Sequence, residues 1–99
     1  MTLDQARAFV SRIHAVTGRW PGLYGGDYLK HLLGAANDPV LANCWLWLAQ
    51  YEETAIVPSN WTAWTLWQYT STATIPGIGQ CDRSRFNGTA ADLRAFFTR

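Results

Sequence analysis

The hydrophobic pattern of this chain changes period along its length, and the order of those changes constrains the fold more than any single motif. Helical spacing comes first. Leu3, Ala6, Phe9, Val10, Ile13 and Val16 recur on one face, opposite Gln5, Arg7 and Arg12. Thr2-x-x-Gln5 is a capping box that opens this helix, and Gly18 ends it. Arg19 to Tyr24 then reads as a short buried strand closed by Gly25-Gly26, where paired glycines accept positive φ. Asp27 is placed to cap a second, short helix through Tyr28, Leu29, Leu32 and Leu33, stopped by Gly34 and the Asn37-Asp38-Pro39 turn. Cys44 to Tyr51 is apolar at both parities until Gln50, as expected of a strand covered on both faces. A third strand is expected near residues 64–70, where β-branched and aromatic residues dominate. Helices alternating with strands in this way predict a layered α/β fold. Pro76-Gly77-Ile78-Gly79 predicts a turn leading to Asp82, and Asp82-Arg83-Ser84-Arg85 reads by itself as a further turn. Thr89-x-x-Asp92 is a second capping box, opening a last helix with Leu93, Phe96 and Phe97 inward.

No linker, repeat or low-complexity stretch divides residues 1–99, so they read as one domain. At 99 residues the chain cannot close an eight-stranded α/β barrel, which typically takes about 250. With 48% hydrophobic and 15% charged residues it can still bury a core. Eight basic residues against seven acidic ones, scattered along the chain, form no stripe for a phosphate backbone, which argues against a nucleic-acid partner. The longest apolar stretch, Val40 to Tyr51, is interrupted by Asn43 and Gln50 and falls short of a membrane span. Met1-Thr2-Leu3-Asp4-Gln5 lacks the basic patch and apolar run of a signal peptide, which leaves the compartment open. Six tryptophans, four tyrosines and four phenylalanines beside a single lysine imply either an aromatic core or a stacking surface.

Several residue types that often carry chemistry read as structural here. Cys44 and Cys81 lack metal-ligand spacing and are expected as free thiols; a bridge closing their loop would add about 3 to 4 kcal/mol if the geometry allowed it. His14 and His31 have no cysteine or carboxylate at metal spacing and are expected at the solvent edge, so no metal or cofactor is implied. Gly25-Gly26 lacks the following Lys-Ser/Thr of a phosphate loop, and Asn60-Trp61-Thr62 and Asn87-Gly88-Thr89 are chance matches to a glycosylation acceptor. Glu52 and Glu53 are consecutive, so on an extended segment they point opposite ways and do not form a working pair.

Four segments in order carry a resemblance: a strand ending in Leu23-Tyr24; Leu46-Trp47-Leu48-Ala49-Gln50-Tyr51; Trp61-x-x-Trp64-x-x-Trp67-Gln68-Tyr69-Thr70-Ser71; and Pro76-Gly77-Ile78-Gly79-x-x-Asp82-x-Ser84-x-Phe86-x-Gly88 before a helix. Together they resemble the second half of the lysozymes of glycoside hydrolase family 25, the peptidoglycan muramidases. The resemblance implies the later strands and helices of an irregular eight-stranded β/α barrel, with peptidoglycan glycan strands as partner. It implies cleavage of the β-1,4 bond between N-acetylmuramic acid and N-acetylglucosamine. It also implies that Asp82 is a supporting carboxylate and that Tyr24, Trp47, Tyr51, Trp67 and Gln68 border the sugar groove, with Trp45, Trp61 and Trp64 left to packing.

The family's catalytic Asp-x-Glu pair is absent from the seven acids of this chain, Asp4, Asp27, Asp38, Glu52, Glu53, Asp82 and Asp92. By resemblance, Met1-Thr2-Leu3 matches an internal stretch just after the catalytic strand. Glycoside hydrolysis needs one carboxylic acid to protonate the leaving oxygen and a second group to stabilise an oxocarbenium-like transition state. Asp82 alone does not supply both, so residues 1–99 are expected to be the C-terminal half of a catalytic domain and inactive alone. Two alternatives stand beside this expectation. One is a non-catalytic peptidoglycan or chitooligosaccharide-binding module; the other is one half of a split enzyme, held by the missing barrel half or by a second copy of itself.

Overall fold

The computed structural model describes residues 2–34 and 37–98; Met1 lies outside them. Helix α1 spans Leu3–Thr17, strand β1 Gly22–Gly25, helix α2 Asp27–Leu33, strand β2 Trp45–Ala49, strand β3 Leu66–Ile75, strand β4 Gly79–Phe86 and helix α3 Ala90–Thr98. A 3₁₀ turn at Leu41–Asn43 precedes β2. No helix among the described residues is long and apolar enough to cross a membrane.

The capping box of α1 is formed reciprocally. Thr2 Oγ1 accepts from the Gln5 amide at 3.1 Å, and Gln5 Oε1 accepts from the Thr2 amide at 2.9 Å. The buried line of this helix is narrower than its apolar pattern, because only Ala6 and Val10 are buried while Phe9 and Val16 stand 59% and 66% exposed. α2 starts one residue earlier than the sequence suggests: its N-cap is Gly26, no side chain caps it, and Asp27 is its first residue.

The four strands form one sheet in the order β1-β2-β3-β4, with β1, β2 and β3 parallel and β4 antiparallel to β3. Successive strand residues face opposite sides, so the register sorts the side chains into two faces. Leu23 pairs with Leu46, and Leu48 with Trp67, on one face; Tyr24 pairs with Trp47, Trp47 with Leu66, and Gln68 with Ser84 on the other. Leu46 and Leu48 are fully buried on the first face. The core beside it collects Ala6, Val10, Leu33, Leu41 and Cys44, with Leu23, Leu29 and Trp61 packed against it. On the other face α3 covers part of the sheet, its Phe96 meeting Trp45 edge-on at 5.1 Å and Phe86 at 5.7 Å. Trp45 also reaches over β1, where Gly22 leaves room for it: a Cβ on Gly22 would lie 2.4 Å from the indole.

Three local expectations are corrected. β3 runs from Leu66 to Ile75 rather than from 64 to 70, and the stretch that reads as a turn at Asp82-Arg83-Ser84-Arg85 is the middle of β4. β4 lacks an apolar period because most of its residues are exposed, so backbone pairing to β3 holds it. Phe97 is 72% exposed rather than inward, although the Thr89–Asp92 capping box forms as expected. Cys44 and Cys81 are both free, and burial pushes the Cys44 thiol up to about 11.

Asp38 ties α1 to the 3₁₀ turn. One carboxylate oxygen accepts from Arg7 Nε at 2.6 Å, the other from the amides of Val40 and Leu41, and its own amide donates to Asn60 Oδ1. Burial works to raise its pKa, but the Leu41 amide and the Arg7 guanidinium together hold it below the usual carboxylate value. A carboxyl lowered on folding stabilises fully above its unfolded value, here 3.8, and loses that contribution as pH falls below it. Asp38→Asn is therefore expected to cost about 2 kcal/mol at neutral pH and progressively less in acid. Urea unfolding at pH 7 and pH 3 checks this; equal costs at both would exclude the charge as the cause.

Candidate functional site

Because β1, β2 and β3 run parallel, the C-terminal ends of β1 and β2 lie level with the first residues of β3, Gly25 pairing with Leu48 and Ala49 with Gln68, and β3 runs on to Ile75. There the second sheet face presents Tyr24 from β1, Trp47 from β2 and Gln68 from β3, while antiparallel β4 adds Asp82 and Ser84 from alternate positions. These five residues line an open cleft of about 340 Å³. Asp82 is the one acid in that lining and is exposed.

Hydrogen bonds fix the cleft from within. Gln68 is buried, and its Oε1 accepts from the Tyr24 hydroxyl and, at 3.2 Å, from the Tyr51 hydroxyl, which enters from the segment after β2. Tyr24 also meets Trp47 edge-on, with ring centroids 5.1 Å apart and planes at 72°. Trp47 Nε1 donates to Ser84 Oγ at 3.1 Å. Partial burial raises the pKa of the Tyr24 phenol above its usual 10, and Tyr51 and the Asp82 carboxylate raise it further. Tyr24 thus remains a protonated donor throughout the neutral range. The result is a ring platform, two phenols, an amide and one carboxylate gathered on one side of a sheet, a set suited to a polar ring bearing hydroxyl and amide groups.

Of the residues singled out in the sequence, Tyr24, Trp47, Tyr51, Gln68 and Asp82 come together here; Trp67 does not. Trp67 precedes Gln68 on the same strand and therefore faces the other side. It is buried there, with Nε1 donating to the Gln50 carbonyl at 2.9 Å, Trp64 and Tyr69 beside it, and the Arg85 guanidinium 5.9 Å from its ring and 4.8 Å from that of Tyr69. Gln50 fixes the path after β2, its Oε1 accepting from Lys30 Nζ at 3.0 Å and the Ile56 amide at 2.8 Å. Ser84 belongs to the fourth motif of the resemblance but has no site role assigned from the sequence; the signal for one is its spacing of two from Asp82, which becomes informative once residues 79–86 are known to be a strand.

Two other cavities lack this chemistry. One of about 490 Å³ lies where β1 and β2 begin, between Trp20 and Trp45, and no carboxylate lines it. His14 stacks on that Trp20, with centroids 4.0 Å apart. The other, about 160 Å³, is an apolar groove among α1, β1 and α2 that includes Leu23, Tyr28, Leu29 and Leu32. Among the described residues, no group of three His, Cys, Asp or Glu side chains is arranged to hold a metal ion.

Comparison with known proteins gives a consistent set of matches. The family described as Glycosyl hydrolases family 25 matches residues 1–78. Lysozyme M1 of Streptomyces globisporus is 37% identical over 81 residues, a span covering 80% of this chain and 22% of that protein. The bacterial lysozyme from Streptomyces coelicolor superposes with a TM-score of 0.77 at 33% identity, over 88% of this chain and 41% of its own. The muramidase from Acremonium alcalophilum gives 0.71 at 35%, over 88% and 40%. The chain thus spans less than half the length of each of these relatives.

Proposed function

The chain belongs to glycosyl hydrolases family 25, and from that premise we propose that residues 1–99 form the C-terminal half of a muramidase domain whose substrate is the glycan strand of peptidoglycan. The observation that carries the proposal is the convergence of Tyr24, Trp47, Gln68 and Asp82 on one sheet face beside the C-terminal ends of the parallel strands β1 and β2, the side on which α/β enzymes place their ligands. In this reading Trp47 stacks on a pyranose face, and Tyr24, Tyr51 and Gln68 form the polar network against its substituents. Asp82 acts as a supporting carboxylate that orients the acetamido group. Trp67 is assigned a packing role, holding the chain after β2 through the Gln50 carbonyl.

The later part of a barrel is the architecture that best accounts for the exposed sheet edge. β1 is the outermost strand of a parallel array, and the apolar groove beside it continues onto α1 and α2. An edge strand with a free row of backbone groups is a template for a further strand. A companion polypeptide supplying the early strands, or a second copy of this chain, would cover it. By itself the chain provides glycan binding without the acid pair, so a non-catalytic binding module is the second reading, favoured by a retained groove that contains one carboxylate.

Titration of tryptophan fluorescence with N-acetylglucosamine–N-acetylmuramic acid oligosaccharides tests the shared core of both readings. A saturable change at or below millimolar sugar is expected, reduced in Trp47→Ala and retained in Trp20→Phe. No change up to millimolar sugar would overturn both readings.

A further inference from the structure

The bond between Trp47 and Ser84 spans two strands. Trp47 is on β2 and Ser84 on β4, with β3 between them, and Trp47 Nε1 lies 3.1 Å from Ser84 Oγ. Adjacent strands are about 4.8 Å apart, so the two backbones are separated by roughly 10 Å. A tryptophan standing upright from the sheet does not reach that far sideways. The indole must reach across β3, in the row where Leu66 and Gln68 face the same side. Tyr24 meets it from the opposite side in a T-shaped contact, with centroids 5.1 Å apart. The ring is therefore held from two sides, by a hydrogen bond to β4 and a T-shaped ring contact from β1.

We propose that Ser84 is a positioning residue: its hydroxyl holds the Trp47 indole across β3, so that a sugar-stacking platform beside Asp82 exists before any ligand arrives. The proposal rests on the saccharide reading of the cleft and deepens it by naming the residue that sets the platform. Ser84 occupies the strand position two away from Asp82, on the same side, so one strand carries both the carboxylate and the latch for the ring. Preorganisation of this kind acts on affinity, because an unlatched side chain must be immobilised when the ligand binds. Removing the hydroxyl while keeping the strand should weaken binding without unfolding the chain, since Ser84 is exposed.

The experiment has two arms on the full chain. In ligand-free protein, the indole N–H resonance of Trp47, assigned through Trp47→Phe, is expected to move and exchange faster with solvent in Ser84→Ala, while the other five indole signals stay in place. In the second arm, Ser84→Ala is expected to bind N-acetylated oligosaccharide about three- to tenfold more weakly, and Ser84→Thr to restore wild-type affinity. A purely structural role for Ser84 would move neither the Trp47 signal selectively nor the affinity. An unchanged Trp47 resonance in Ser84→Ala would overturn the latch. A shifted resonance with wild-type affinity would overturn the platform role. Absence of binding in the wild type, with the resonance shift intact, would overturn the saccharide reading and the platform with it, leaving only the latch.

Discussion

Incubated alone with bacterial cell walls, the purified chain is expected to release no reducing ends above a buffer control. The reason lies in the acids that are present. Glycosidic cleavage requires a proton donor for the leaving oxygen and a group that stabilises the oxocarbenium-like transition state. A positioned general acid alone contributes typically 10²–10⁴-fold. Asp82 is the one carboxylate lining the cleft, so a second group for the other role is not at hand there. Glu52 and Glu53, both exposed after β2, do not line the cleft. Lysis is expected to return on mixing with a folded polypeptide matching the part of the Streptomyces coelicolor lysozyme that this chain does not cover, and to be lost again with Asp82→Ala. Turnover by the chain alone would contradict the assignment of Asp82 as a supporting group.

The largest stability effect is expected at Leu46. It is fully buried, pairs with Leu23 on β1, and its carbonyl accepts from the Thr65 amide at 2.9 Å just before β3 begins. Truncating such a side chain removes its transfer free energy and leaves a cavity that the parallel strands cannot close without shifting. Leu46→Ala is expected to cost about 3 kcal/mol, which in a domain of this size is a fall in melting temperature of about 12–20 °C. Phe97→Ala, at a ring 72% exposed, is expected to stay within about 0.5 kcal/mol. Urea unfolding of the two variants beside wild type checks the contrast, and a small loss at Leu46 would mean that the sheet is not packed on α1 and the 3₁₀ turn.

Legibility in the sequence followed burial. The helices with side-chain capping boxes, Thr2-x-x-Gln5 and Thr89-x-x-Asp92, were readable because a cap is a local bond between residues three apart. β2 was readable within about two residues at each end because its apolar residues mark it whichever face they occupy. Phe9, Val16 and Phe97 have the spacing of inward residues and stand exposed, since periodicity marks a face without saying how much of it finds a neighbour. β4 was opaque: Gln80-Cys81-Asp82-Arg83-Ser84-Arg85 has turn-like composition, and only the partner strand makes it extended. Within the site, Tyr24, Trp47 and Gln68 are marked by the family resemblance, and their meeting depends on a register of three strands. Trp67 and Gln68 are neighbours on β3, and strand alternation sends them to opposite sides.

The pairing of β3 with β4 shifts between Gln68 and Thr70 and again between Thr70 and Ala73. On β4, Asp82 and Ser84 look into the cleft, while Arg83 and Arg85 alternate with them and look away, Arg85 over the rings of Trp67 and Tyr69. A hairpin that zipped one residue out of phase would turn two guanidiniums inward and expel both the carboxylate and the serine. The charge of the cleft is therefore decided by the phase in which the hairpin closes.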